Sequence, residues 1–415
     1  MKRITVLLSC GVVAAGAGVA GCGSSSSSST PSASSSSSSS GSTSSGSTSS
    51  SANKSPIPIA ILEPTSGPLG VVATQIADSS KYAVAYVNAH GGINGHPLVA
   101  QVFNTQLDPA TAATDYEQAA TQDHDVAVLG PLISPEANSS VPVAARTDTP
   151  MLLPGAADID FTHPVKQYVF RMGSNETQDD LAMAALVKHL GCTKPALLYD
   201  NGALGLTTKT DIANDMKFTL SVQTSETATD LTPALQQIRA AGATCIVEAS
   251  DALGAVGSMI ATMANTGYKV PVLGDSGVTL AAFVATAGAK ALKAVPVYGT
   301  DVFNPDSSYF KTLFAGYVKQ YGAAPPVEEI GTAWDSVQTL ASALKADGGK
   351  GGAPLAAALQ NVSGSGIPSL IGNGGPTPSF SATSHDWVPA ASDKLYRVTA
   401  GPGNNTVLTP TGVGG

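Results

Sequence analysis

The hydrophobic and polar positions divide the chain into three stretches. Behind Lys2 and Arg3, residues Ile4 to about Ala20 are almost continuously apolar. From Gly23 to about Ser51 the chain is nearly all serine and has no apolar surface to bury. From about Pro56 short apolar runs alternate with segments whose apolar residues recur at helical spacing. "IPIAIL" (Ile57 to Leu62) reads as a buried strand, and Ile76, Ala83, Tyr86 and Val87 fall on one face of the helix behind it. "LVAQVF" then precedes a helix from Ala110 to Gln122, and "VAVLG" a helix from Pro135 that leads to "PMLL". After "YVFRMG" the alternation starts again. Helices at Gln178–His189, Thr207–Met216, Leu231–Ala241 and Ala252 to about Thr266 lead into "PALLYD", "FTLSVQ", "TCIVEA" and "VPVLG". Asn94-Gly95 marks a tight reversal, because both residues tolerate positive φ.

Such alternation predicts parallel sheets covered by helices on both faces. Roughly 360 residues follow the serine tract, too many for one core. The fold class expected is therefore α/β, with two Rossmann-like three-layer lobes.

The N-terminal stretch has the layout of a secretory signal: a positive start, an apolar run, then small residues. The run is shorter and richer in glycine than a membrane span of about 20 strongly apolar residues, although a retained signal anchor is the alternative. Val19-Ala20-Gly21-Cys22 resembles the lipobox of bacterial lipoproteins. That resemblance implies a signal peptide over 1–21 and acylation of Cys22, so that the chain is exported and anchored to the membrane surface. Residues 22–55 would then be a disordered tether. No later stretch is long and apolar enough to span, so the body is expected to be soluble.

Charge narrows the partners. The chain carries 21 basic and 30 acidic residues, and loss of Lys2 and Arg3 with the signal deepens the acidic excess. Nucleic-acid binding, which rests on clustered Lys and Arg, is not expected. Of four cysteines, Cys10 lies in the signal and Cys22 is the lipid site. Cys192 and Cys245 remain in the exported body, where a disulfide can persist. In a sheet of order 2-1-3 they stand at the same edge of neighbouring strands; two separate buried thiols are the alternative.

From about Pro56 to Ala400 the chain resembles the type 1 periplasmic binding proteins, in particular the branched-chain amino-acid-binding group that serves ABC importers. The resemblance rests on the order and spacing of "SGPLG", "VNAHGGINGHPL", "LGPLISPEA", "FRMGSNETQ", "LLYDNGALG", "YKVPVLGDSG" and "GTAWDSVQTL". It implies three crossovers between the lobes, near Gly173–Asn175, Tyr298–Val302 and Phe380–Trp387. Residues 56–173 and 301–379 would form lobe 1 and 174–300 with 380–402 lobe 2, leaving 403–415 as a flexible tail. Ligand is expected in the cleft between the lobes, outside the carboxyl ends of the strands.

Ser134, with Pro135 after it, reads as the cap of a helix whose free N–H groups suit a ligand carboxylate. In the family a serine here, with a backbone group and a threonine after the fourth strand, grips the amino acid's carboxylate. Ser134 keeps the first role and Gly155 the second, while Ala157, beyond Ala156, lacks the hydroxyl. The family's acidic residue for the ligand ammonium falls at Ser276, beside Asp275, and its aromatic positions become Val72, Leu204 and Ala252. Asp158, Asp251 and Asp275 either meet an ammonium or serve as cap and turn residues. Tyr199 and Trp334 either face the cleft or pack at lobe edges.

Signals for chemistry are weak. The six histidines form no i, i+4 pair, and there is no G-x-S-x-G elbow, P-loop or dinucleotide fingerprint. The function expected is a non-enzymatic, monomeric solute receptor without cofactor or metal, delivering to ABC permease and ATPase subunits. A sensory binding protein and a lipoprotein hydrolase are the alternatives.

Overall fold

The computed structural model describes residues 54–67, 69–302, 308–322, 328–371, 377–389, 394–401 and 406–414. The expected signal peptide, Cys22 and nearly all of the serine tether lie outside these residues.

The first lobe opens with β1 (Ile57–Glu63), α1 (Gly70–Ala89), β2 (Leu98–Asn104), α2 (Pro109–Thr121), β3 (Val128–Leu129), α3 (Ser134–Thr147), β4 (Met151–Leu153) and β5 (Val169–Arg171). Its five strands are parallel in the order β2-β1-β3-β4-β5. β1 is covered on both faces and nearly all buried, whereas edge strand β2 exposes Val99, Gln101 and Asn104. The turn between α1 and β2 has Asn94 at φ 53° and Gly95 at φ 90°, the left-handed pair that "NG" calls for.

The second lobe follows with α4 (Glu176–His189), β6 (Pro195–Tyr199), α5 (Ala203–Asp215), β7 (Leu220–Gln223), α6 (Thr232–Ala240), β8 (Cys245–Ala249), α7 (Leu253–Asn265), β9 (Val272–Gly274), α8 (Ala281–Ala287), α9 (Ala289–Ala294) and β10 (Val297–Asp301). Helices α10 (Ser308–Tyr321), α11 (Glu328–Asp347) and α12 (Gly352–Leu359) come next, then strands β11 (Lys394–Ala400) and β12 (Thr406–Gly414). The second sheet runs β7-β6-β8-β9-β10-β11-β12, with β11 and β12 antiparallel. Side chains alternate across it. Ala196, Leu198 and Ile246 enter one core, while Leu197, Tyr199, Cys245 and Val247 enter the core on the opposite face.

Core membership shows how the chain moves between lobes. Residues between Ile57 and Met172 and between Val302 and Val388 build one large core and a small satellite cluster, and residues between Ala182 and Tyr298 with Leu395 and Val398 build two more. Three crossings result. The third lies later than the sequence suggests, because Phe380, Trp387 and Val388 pack in the first lobe. Trp387 donates its indole N–H to Asp335 over 3.1 Å, and Asp335 also accepts from the Leu370 N–H at 2.8 Å, anchoring this segment to α11. A second correction concerns the C-terminal tail. Residues 406–414, expected to be flexible, form β12 and pair with β11 from Ala400↔Thr406 to Lys394↔Gly414.

A buried ion pair binds the end of β5 to the third crossing. Arg171 is fully buried and its Nε donates to Asp386 Oδ1 over 2.9 Å. The backbone continues the link: Arg171 N–H donates to His385 O, and Trp387 N–H donates to Arg171 O, both at 2.8 Å. In lobe 2, β6 and β8 are neighbours with Pro195 opposite Cys245. This brings Cys192 and Cys245 to a Cα separation of 5.9 Å, within the range of a bridged pair.

Candidate functional site

At the C-terminal edge of the first sheet the chain leaves β3 through Gly130. Its φ is 95° and a Cβ there would lie 2.1 Å from the Leu62 carbonyl oxygen, so this close approach to β1 requires glycine. The loop then delivers Ser134. Although the sequence suggests a cap, α3 begins at Ser134, Ile133 precedes it as N-cap, and no side-chain cap bond forms. The Ser134 hydroxyl instead accepts a long 3.4 Å contact from the Asp158 N–H. This turns it toward the loop after β4, which holds Gly155, Ala156 and Ala157. Arg171 fixes that loop by donating Nη1 to the carbonyls of Ala157 and Asp158, each at 2.7 Å. Val72, in the first turn of α1, is half-buried against a small cluster containing Ala73, Ile76 and Leu132.

The facing edge of lobe 2 is acidic. Asp200, at the end of β6, is buried and accepts from the N–H groups of Gly202 (2.9 Å) and Asp251 (2.8 Å), tying the β6 and β8 loops together. Asp275 follows β9 and accepts from Gly277 N–H at 2.8 Å, starting the turn Ser276–Thr279. Burial is the main cause of a raised Asp275 pKa, with the Asp200 carboxylate adding to it. Asp251 keeps an open surface, but the surrounding protein, with Asp275, Asp200 and Glu226, raises its pKa to about 7. Leu204 is half-buried in the first turn of α5, and Ala252 is buried before α7.

Asp158 and Asp275 are turn caps, Asp158 accepting from Asp160 N–H at 3.0 Å. Tyr199 and Trp334 do not face the cleft. Tyr199 packs in the core of lobe 2 and accepts from Lys209 Nζ at 2.9 Å, and Trp334 is buried in lobe 1 with its N–H on the Pro368 carbonyl at 2.6 Å.

Two carboxylates went unnoticed in the sequence. Glu176, the first residue of α4, is 5% exposed, and its N–H reaches back to Ala157 O at 3.2 Å across the first crossing. Its Oε2 is buried without a hydrogen-bond partner. Burial foremost, then Asp158 of lobe 1 and Asp211 and Asp275 of lobe 2, raise its pKa to about 8 against the opposing pull of Arg171. Glu248 of β8 is 1% exposed with Oε2 likewise unpartnered. Burial pushes it well up, and Asp275, Asp200 and Asp251 add to the effect. The only cue was a charge inside the apolar run "CIVEA"; for Glu176, "NETQ" reads simply as a helix start.

Among the described residues no group of three or more His, Cys, Asp or Glu could hold a metal ion, and no helix is long and apolar enough to cross a membrane.

Comparison with known proteins places this geometry. The family model described as "Periplasmic binding protein" matches residues 56–392. A chemotactic signal transduction system substrate-binding protein, BasB of Halobacterium salinarum, is 29% identical over 161 residues, a match spanning 36% of this chain and only 38% of that protein. A Leu/Ile/Val-binding protein homolog of Brucella suis is 25% identical over 308 residues, spanning 72% of this chain and 80% of the relative. Among solved structures, LivJ of Streptococcus pneumoniae in complex with isoleucine superposes with a TM-score of 0.72 at 21% identity, covering 86% of this chain and 99% of its own. A solute-binding protein of Rhodopseudomonas palustris in complex with 4-hydroxybenzoate gives a TM-score of 0.74 at 16% identity, covering 87% and 97%. The two lobes, the chain crossings and the facing strand ends agree with the family model's match over residues 56–392: the chain belongs to the periplasmic binding protein family.

Proposed function

We propose that the chain is the extracytoplasmic receptor of an ABC importer, tethered by an acylated Cys22, that captures a small polar solute as its lobes close. The observation that supports this reading is the meeting of two strand-end edges at the crossings. Ser134 and the Gly155–Ala157 loop stand on one edge, and Asp251, Asp275 and Ser276 on the other. A solute carboxylate would take the Ser134 hydroxyl, the α3 N-terminus and the Gly155 backbone, with Ala156 and Ala157 behind. Val72, Leu204 and Ala252 would wall the cleft, and the acidic edge would meet a solute donor. Closure is favoured because the closed form makes more solute contacts than the open one.

The ligand class in this reading is an amino acid, including the branched-chain ones, or a related amide or carboxylate. The Brucella relative's name and the isoleucine complex support that range. Export also supports a Cys192–Cys245 disulfide, and membrane and ATPase subunits would be separate chains. The similarity to BasB, named for chemotactic signalling, favours a second reading in which the same receptor reports to a sensory partner.

A panel of amino acids, amides and small carboxylates should contain a compound that raises the melting temperature, as binding to the folded state must. For a carboxylate ligand, Ser134→Ala should weaken binding by about 1–2 kcal/mol through loss of a charge-assisted hydrogen bond. Unchanged affinity would remove Ser134 from the site, and a panel without any response would remove the receptor reading.

A further inference from the structure

The cleft's charge is strongly one-sided. Arg171, the cation whose charge reaches Glu176, is wholly engaged: Asp386 and Thr162 take its side chain together with the Ala157 and Asp158 carbonyls. On the opposite edge Asp200, Glu248, Asp251 and Asp275 gather at the ends of β6, β8 and β9, and none of the four forms an ion pair with a Lys or Arg among the described residues. Asp200 and Asp275 are satisfied by backbone N–H groups. Glu176 is not. It is 95% buried by its 5% exposure, its Oε2 has no partner, and the charges it senses belong to both lobes: Asp158 and Arg171 on one, Asp211 and Asp275 on the other. An unpartnered carboxylate at the junction of two lobes is costly unless something supplies the missing donor.

Resting on the receptor reading above, we propose that the solute carries a net positive charge on an ammonium or guanidinium group, with N–H donors directed at Glu176 and the Asp275 edge. A single carboxylate would be enough to balance the α-ammonium of a neutral amino acid, whereas this edge presents several carboxyl groups and, among the described residues, none is ion-paired with a Lys or Arg. A quaternary ammonium does not fit: it has no N–H to donate, and Val72, Leu204 and Ala252 offer no ring face to receive it. A cation beside Glu176 favours its ionised form, so binding releases a proton and tightens as the pH rises from 6 to 8.

The test uses the full mature chain and calorimetry with L-arginine, agmatine, L-citrulline, L-isoleucine, choline and 4-hydroxybenzoate. Citrulline replaces the guanidinium of arginine with a neutral group of nearly the same shape. Arginine or agmatine should bind at least about 10-fold tighter than citrulline. Glu176→Gln and Asp275→Asn should each erase most of that ratio, and the heat of binding should differ between phosphate and Tris buffers as a released proton requires. Citrulline, isoleucine, choline or 4-hydroxybenzoate binding as tightly as arginine and agmatine would overturn the charge assignment and leave the receptor reading standing. So would an unchanged ratio in both variants. Silence from all six, with silence from the wider panel, would overturn both.

Discussion

At the residue scale the Arg171–Asp386 pair matters beyond its own contact. Both groups are withdrawn from water, and Arg171 spends its donors on the Ala157–Asp158 loop that borders the cleft. Asp386→Ala would leave a guanidinium buried without its counter-charge, at a cost of about 3–5 kcal/mol. Urea unfolding should record that loss, and a change under about 1 kcal/mol would mean the arginine is rehydrated. Burial alone would raise the Asp386 pKa, but Arg171, with Thr162 and His163, holds it below the ordinary 3.8. Because the folded pKa is depressed, this contribution is present above 3.8 and is lost as the pH falls through the lower folded value. Between 3.8 and that lower value the wild-type chain should therefore lose stability more steeply than the variant. Of the cleft residues, Ser134 was legible as polar at a helix start. Its turn toward Asp158 was not, because a cap and a first-turn residue look alike in sequence. Glu176 was invisible for a different reason: an acid in the first helical turn is ordinary, and its burial arises only when two distant segments meet there.

At the element scale the alternation of runs and helical spacing was readable as far as β9, since buried parallel strands need unbroken apolar runs; β10 and α8 to α12 were not read from it. β12 was expected to be a flexible tail. Residues 406–414 hold the strand formers Thr406, Val407 and Thr409, but Pro410 and Gly412 interrupt the run, and pairing with β11 makes them a strand. The third crossing was misplaced for a similar reason. Phe380 and Trp387 are apolar enough for either lobe, and contacts with Phe170 and Asp335 decide. The cysteines test an element contact directly, since Cys192 follows α4 and Cys245 opens β8. If they are bridged, reduction should lower unfolding stability by about 2–4 kcal/mol, and Cys192→Ser should make it indifferent to reductant. Equal stability with and without reductant in the wild-type chain would favour two separate thiols.

At the scale of the whole molecule the receptor reading requires movement. The cores of the two lobes are separate, and the segments between the lobes are short enough to act as hinges. Solution scattering should show a smaller radius of gyration when a saturating solute is added, with no change in mass. A compound that binds tightly in calorimetry yet leaves the curve unaltered would argue against closure about the crossings.

Neither lobe is one continuous piece of chain: β11 and β12 complete a sheet begun near Pro195, after the chain has gone back to build α10 to α12 on the other side. The halves are laced together, so a protease cutting one exposed loop severs only one of three threads. A nicked molecule would stay associated and could still bind, whereas recombinant expression of either half alone would call for splicing segments that ribosomal synthesis never places side by side.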